Sequence, residues 1–238
     1  MKSLTYIIGI ILFVITSYSC NQVDGNGNII EKVVEISDYN DLKIAGAVDI
    51  VYEQKQDTLP YLHIEIDENL FPLLDIESEN GELSIKPIEG NNLNPTKFIV
   101  HTNSKELVSL SMAGSGSFQL AGTLRGESLY IKSAGSATIK SDSIISNNIK
   151  IESAGSTNIN LCGKTKSVEC EVAGSADLNI VELEAENVKC NIAGSADIIT
   201  YAEKTLDVSV AGSGKISYKG SPEITKRIAG SGEIVSLD

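Results

Sequence analysis

The sequence predicts an all-β fold: a parallel β-helix (β-solenoid), expected to be right-handed, with an N-terminal β-region continuous with the coil. Three observations predict it. The tripeptide Ala-Gly-Ser returns seven times at intervals of 18 to 21 residues. Around each glycine the chain alternates in period two, the pattern of a strand with one buried face. The segments are rich in β-branched and small residues and lack a 3.6-residue periodicity, which excludes helical repeats. A period near 20 built from short strands marks repeats that cannot close a core alone and must stack.

The repeat fixes which side chains share a column. Gly114, Gly135, Gly155, Gly174, Gly194, Gly212 and Gly230 are each preceded by Ala and followed by Ser. Four residues after the glycine stand Phe118, Ile139, Ile159, Leu178, Ile198, Ile216 and Ile234. Six before stand Val108, Leu129, Ile149, Val168, Val188, Leu206 and Ile224, and four before stand Leu110, Ile131, Ile151, Cys170, Cys190, Val208 and the exception, Lys226. Two before are Met112, Ser133, Ser153, Val172, Ile192, Val210 and Ile228. Stacked at about 4.8 Å, the spacing of neighbouring strands, these columns form one continuous core. The glycine is expected to be a structural corner, where a bend or a positive φ is needed and a side chain would strike the next turn.

Ser115, Ser136, Ser156, Ser175, Ser195, Ser213 and Ser231 form a ladder beside that corner. Their hydroxyls can bond to one another or to corner backbone groups. No catalytic residue is assigned among them, because no histidine lies near any of them in sequence and no Gly-x-Ser-x-Gly elbow is present. Asn158, Asp177 and Asp197 stack three residues after glycine, followed by Lys215 and Glu233. They read as a solvated face and not as a calcium ladder, since no Gly-Asp loop repeat accompanies them. Repeat length varies in the polar stretches KSDSIISNN, NLCGKTKS, NIVELEAEN and SYKGSP, surface loops where specificity can reside.

Cys170 and Cys190 occupy one position in consecutive repeats. Stacking brings their α-carbons within disulfide range, with parallel Cβ vectors slightly too far apart, so the pair is either two buried thiols or a disulfide after local adjustment. Cysteine spacing matches no metal site, and the two histidines, His63 and His101, both lie in apparent strands. No metal and no cofactor are expected.

Along the chain, residues 1–19 read as an export signal: Lys2 is the positive start and Leu4 to Ile15 the apolar run. That run is short for a membrane span, which needs about 20 apolar residues. The cysteine directly after it, Cys20, resembles the lipidation site of a bacterial lipoprotein, with small Ser19 before it and Ser17 where Leu is common. The alternative is ordinary secretion with an incidental Cys20. Residues 20–27 are polar and glycine-containing, fit to be a tether. Residues 28–104 form the N-terminal β-region, with a turn at Glu79, Asn80 and Gly81 and a short excursion begun by Pro72. The stretch KIAGAVDI places Gly46 as an early corner, with Ile50 four residues on. Residues 105–238 are the repetitive coil. Pro222, Lys226 and Arg227 interrupt its last repeat, and with no further domain after Asp238 the end cap is minimal or supplied by contacts between copies, a homo-oligomer.

The stretch GNGNIIEKVVEISDYNDLKIAGAVDIVYEQ, together with the Ala-Gly-Ser repeats, resembles the head GIN domain proteins, also described as auto-transporter adhesin head domains, common in lipoproteins of the Bacteroidota. The resemblance runs from about Gly25 to the end. It implies a parallel β-helix and a surface role, and carries no catalytic mechanism onto these residues.

A net charge of −13 excludes nucleic acid as a partner, because nothing here replaces counterions on a phosphate backbone. The absence of Trp lowers the case for stacked sugars or bases. The expected protein is non-enzymatic and lipid-anchored in the cell envelope, at the outer membrane through Cys20. It would present a rigid surface to an envelope protein or a glycan, as an adhesin does. The alternatives are a carbohydrate-active β-helix enzyme and a structural or regulatory envelope component. Glu127, Glu152, Asp177, Asp197 and Asp207 are the carboxylates available to an enzyme, but no histidine or arginine group accompanies them in the coil.

Overall fold

A computed structural model describes residues 21–238 and shows an all-β protein. The export signal expected over residues 1–19 and the expected lipidation site Cys20 lie outside the described residues. Nine strands form one sheet, seven of them in a continuous path that starts from the repetitive strands and ends in the N-terminal region. Its largest members are β3 (Asp41–Gln54), β9 (Ser109–Asn160), β10 (Gly163–Lys219) and β11 (Glu223–Ser236). All pairings among these four are parallel and keep glycine on glycine: Gly46 opposes Gly114, Gly174 opposes Gly155 and Gly230 opposes Gly212.

Burial follows the columns read from the sequence. The positions six and four before the glycine are buried from Leu129 to Leu206 and from Leu110 to Val208, and the position four after it from Phe118 to Ile216. A further column lies two after the glycine, where only Gly, Ala or Thr occurs: Gly116, Ala137, Thr157, Ala176, Ala196, Gly214 and Gly232. These residues face the side chains two before the glycine, and size is traded across the corner. A methyl group on Gly232 would fall 3.0 Å from Ile228 Cγ2, and one on Gly214 would fall 3.1 Å from Ala196 O and 3.5 Å from Ile192 Cδ1. Where the opposing residue is serine the contact is polar, and Ser153 Oγ donates to Thr157 Oγ1 at 2.6 Å.

The N-terminal region closes one end of this stack. β6 (Glu82–Pro87) pairs parallel to the first arm of β3, and β8 (Phe98–Ser104) pairs parallel to its second arm. Beyond them the pairing turns antiparallel. β5 (Leu74–Glu79) joins β6 through a turn with positive φ at Asn80 and Gly81, while β4 (Leu62–Asp67) pairs with β8 and β2 (Ile29–Val34) with β4. Pro72 lies within the 3-10 turn Phe71–Leu73, as the sequence predicts.

One segment departs from the sequence reading. Residues 21–27, read as part of a free tether, are held in place. β1 (Asn21–Asp24) pairs parallel with β7 (Asn91–Asn94), and the loop after it is clasped by Asp67, whose carboxylate accepts from Gly27 N at 2.7 Å, Thr96 N at 2.8 Å and Thr96 Oγ1 at 2.6 Å. A polar strand shows no hydrophobic alternation, so its pairing leaves no trace in local sequence. At the far end, Lys226 stands opposite Val208, exposed in a column that is otherwise apolar, and Arg227 reaches Asp207 at 3.6 Å. An inward-column charge on an edge strand opposes further strand addition.

Candidate functional site

The corner glycines shape the surface as well as the core. From Gly46 to Gly230 all eight have φ between 115° and 135°. In that conformation an added Cβ would point along the stack, falling 2.6 Å from Gly46 O when built on Gly114 and 2.5 Å from Gly155 O when built on Gly174. The same collision with the preceding glycine carbonyl recurs at Gly135, Gly155, Gly194, Gly212 and Gly230. The structural-corner reading of these residues thus has a direct steric basis.

With the column so tight, the serine that follows is turned outward. All seven ladder serines, from Ser115 to Ser231, are exposed. Among the described residues none of their hydroxyls has a protein hydrogen-bond partner, which differs from the expectation that they bond to one another or to the corner. The reason is parity: one residue past the glycine the side chain leaves the sheet on its solvent face. Two residues further, Thr138, Asn158, Asp177, Asp197, Lys215 and Glu233 also point outward, and the small buried column lies between the two rows. The result is an open groove of about 740 Å³ that runs along the stack from Ser136 to Glu233. Its floor is Ala, Thr and Gly, and its walls are hydroxyl, amide and carboxylate groups with the single ammonium of Lys215. Such a surface can exchange many weak hydrogen bonds with an extended ligand.

On the other side of the glycine column lies a second depression, of about 480 Å³, bordered by Lys132, Glu152, Glu171 and Asn191. Its two glutamates share one lysine. Lys150 bridges Glu152 at 2.8 Å and Glu171 at 3.3 Å, and Tyr130 OH donates to Glu152. The Lys150 ammonium and the Tyr130 hydroxyl hold the Glu152 carboxyl below its usual range, and Glu152 in turn pushes the Lys150 pKa up. The other carboxylates named from the sequence are dispersed. Glu127 accepts from Asn147 and Asp207 meets Arg227, while Asp177 and Asp197 line the groove.

Cys170 and Cys190 are fully buried and, like Cys162, are free thiols. A hydrogen bond with Cys190, reinforced by burial, raises the Cys170 pKa. A thiol held in this way stays protonated and unreactive. Among the described residues no group of three or more His, Cys, Asp and Glu side chains is assembled to hold a metal ion.

A family model described as "Putative auto-transporter adhesin, head GIN domain" matches residues 38–222, the span that holds the glycine column up to Gly212. The chain belongs to this family. Solved structures share the fold over nearly the whole chain. A protein of Parabacteroides distasonis described as a "putative lipid binding protein" is 34% identical, with a TM-score of 0.75 over 92% of this chain and 100% of its own. A second protein from that organism, a "putative adhesin", is 28% identical with a TM-score of 0.68, covering 91% of this chain and 100% of its own. A "putative adhesin" of Bacteroides fragilis is 23% identical, with a TM-score of 0.81 over 90% of this chain and 100% of its own, and shows the fold alone. No curated protein sequence matches the chain.

Proposed function

We propose that this head GIN protein is a non-enzymatic β-solenoid of the cell envelope, anchored by lipid at Cys20, that presents its serine-lined groove to an extended glycan or protein segment. The coil reading is supported by the parallel glycine-on-glycine register, and the envelope reading by the export signal and the adhesin-like family. The observation that carries the binding role is the groove itself. Six of the seven exposed ladder hydroxyls line it without internal partners, so their hydrogen-bonding capacity faces solvent. A regular ladder of this kind suits a ligand that is itself repetitive and extended. Its anionic components, Asp177 and Asp197, bias it toward neutral or cationic chains.

The test is binding of the purified protein to a glycan array, in parallel with capture from envelope extract. Ser156→Arg and Ser175→Arg place bulk in the groove at exposed sites and should abolish binding with the melting temperature unchanged. Ligand retention by both variants would sink the groove reading. Radiolabelled acyl incorporation that persists in Cys20→Ala would sink the anchor.

A further inference from the structure

The groove does not use the chain's two histidines, which are His63 and His101. The antiparallel register of β4 on β8 sets them directly opposite each other. Both lie on the solvent face of the sheet: His63 is exposed, and the His101 side chain retains 41% of its accessibility. Directly opposed residues on antiparallel strands have Cβ atoms about 4.5–5.5 Å apart. Two imidazoles at that separation can converge on one cation, because each metal–nitrogen bond is about 2.0–2.1 Å long. A carboxylate stands beside them, with Glu65 Oε1 4.0 Å from His101 Nε2.

We propose that the opposed imidazoles of His63 and His101 form a solvent-accessible chelate for a divalent cation of the zinc and copper class, joined by Glu65 once the cation is bound. The donor set decides the class: imidazole nitrogen suits zinc, copper and nickel, whereas magnesium and calcium require all-oxygen cages. Each imidazole has another neighbour beside it. His63 lies 5.1 Å from the Tyr61 ring, and His101 leans toward Glu65, which is itself paired with Lys97. The cation therefore assembles the site by drawing the two rings together, with Glu65 exchanging Lys97 for the metal and water completing the shell. The flanking row is apolar, Val33 beside His63 and Val51 beside His101, so no other charged side chain of that row competes for the imidazoles.

Because the chain has two histidines, its imidazole Cε1–H resonances report the site without ambiguity. Titration of the tag-free protein with Zn²⁺ should shift both signals together and saturate at one equivalent, while Mg²⁺ moves neither. His63→Ala should abolish the response of His101, and His101→Ala that of His63. Glu65→Gln should weaken Zn²⁺ binding about tenfold or more. Independent shifts of the two signals, an unchanged His101 response in His63→Ala, or no response in the native protein would each overturn the proposal.

Discussion

The two ends of this molecule are stabilised by different physics. In the repetitive part, Ser109 onward, aliphatic side chains stack on their own counterparts and the backbone register does the rest. In the N-terminal part the core also holds larger polar side chains with hydrogen-bond partners, whereas the buried polar groups of the repetitive part are only the small hydroxyls of Ser and Thr. Tyr39 OH pairs with Thr102 Oγ1 at 2.8 Å, and Tyr52 OH pairs with Ser104 Oγ at 2.9 Å. Asn103 is fully buried, accepting from Tyr61 N at 2.8 Å and donating to Thr58. Burial pushes the Tyr52 phenol up to about 12 and Tyr39 further, so both remain neutral donors. The two regions meet where the Tyr52 and Phe118 rings stack at 6.0 Å. The contrast teaches that a repeat specifies itself by translation, whereas a cap, which has no neighbour to copy, must be specified by individual hydrogen bonds.

That contrast can be broken most severely at a glycine inside the column. Gly155→Ala combines a left-handed φ with a methyl group driven into the Gly135 carbonyl, and should cost about 4–5 kcal/mol or more, the range of exceptional single substitutions. Gly46→Ala sharpens the point. There the nearest atom to an added Cβ is Pro87 Cγ at 3.9 Å, leaving only the conformational penalty of about 1–2 kcal/mol. Equal melting temperatures for the two variants would contradict the steric account.

The clasp of the N-terminal region comes next. Asp67→Asn places amide hydrogens against the backbone donors of Gly27 and Thr96 and should destabilise by about 1.5–3 kcal/mol, the worth of hydrogen bonds to a charged group. Burial alone would raise the Asp67 pKa, but hydrogen bonds from the Thr96 side chain and from the Gly27, Thr96 and Lys97 backbone outweigh it, and the folded value lies below the usual one. The sign follows. Its contribution is complete above the unfolded carboxyl value of about 4 and fades as pH falls through the lower native value, so the gap between native and Asp67→Asn melting curves should close in acid.

A change of opposite sign is expected in the repetitive core. Thr200 is fully buried and its hydroxyl lacks a hydrogen-bond partner among the described residues. Thr200→Val keeps the shape, removes the stranded group and should raise stability by about 1 kcal/mol in urea denaturation. The smallest effect belongs to the outer charges. Lys189 meets Glu169 at 2.6 Å with half its side chain in water, and Lys189→Ala should leave the melting temperature within error at physiological salt.

Legibility from sequence follows the same division. The columns from Leu129 to Leu206 and from Phe118 to Ile216 could be read because each residue is buried by its own periodic equivalents. The turn at Asn80 and Gly81 was equally visible, whereas the small column two after the glycine went unread although its signal, an unbroken run of Gly, Ala and Thr, is present. The exposure of the serine hydroxyls was less visible, since a hydroxyl bonds equally well to water or to a neighbour. Asp67 carried no signal, because its partners at Gly27 and Thr96 lie 40 and 29 residues away.

By itself, the amino-acid sequence determined the period, the inward residues and the need for a residue without a side chain at each corner, because translation along a stack makes every repeat report the environment of the next. Only the tertiary structure decided how residues 21–27 are held and that His63 stands across from His101. Those outcomes depend on strands that pair across long, non-periodic separations, and such pairing is set by the closure of the whole sheet and not by any local pattern.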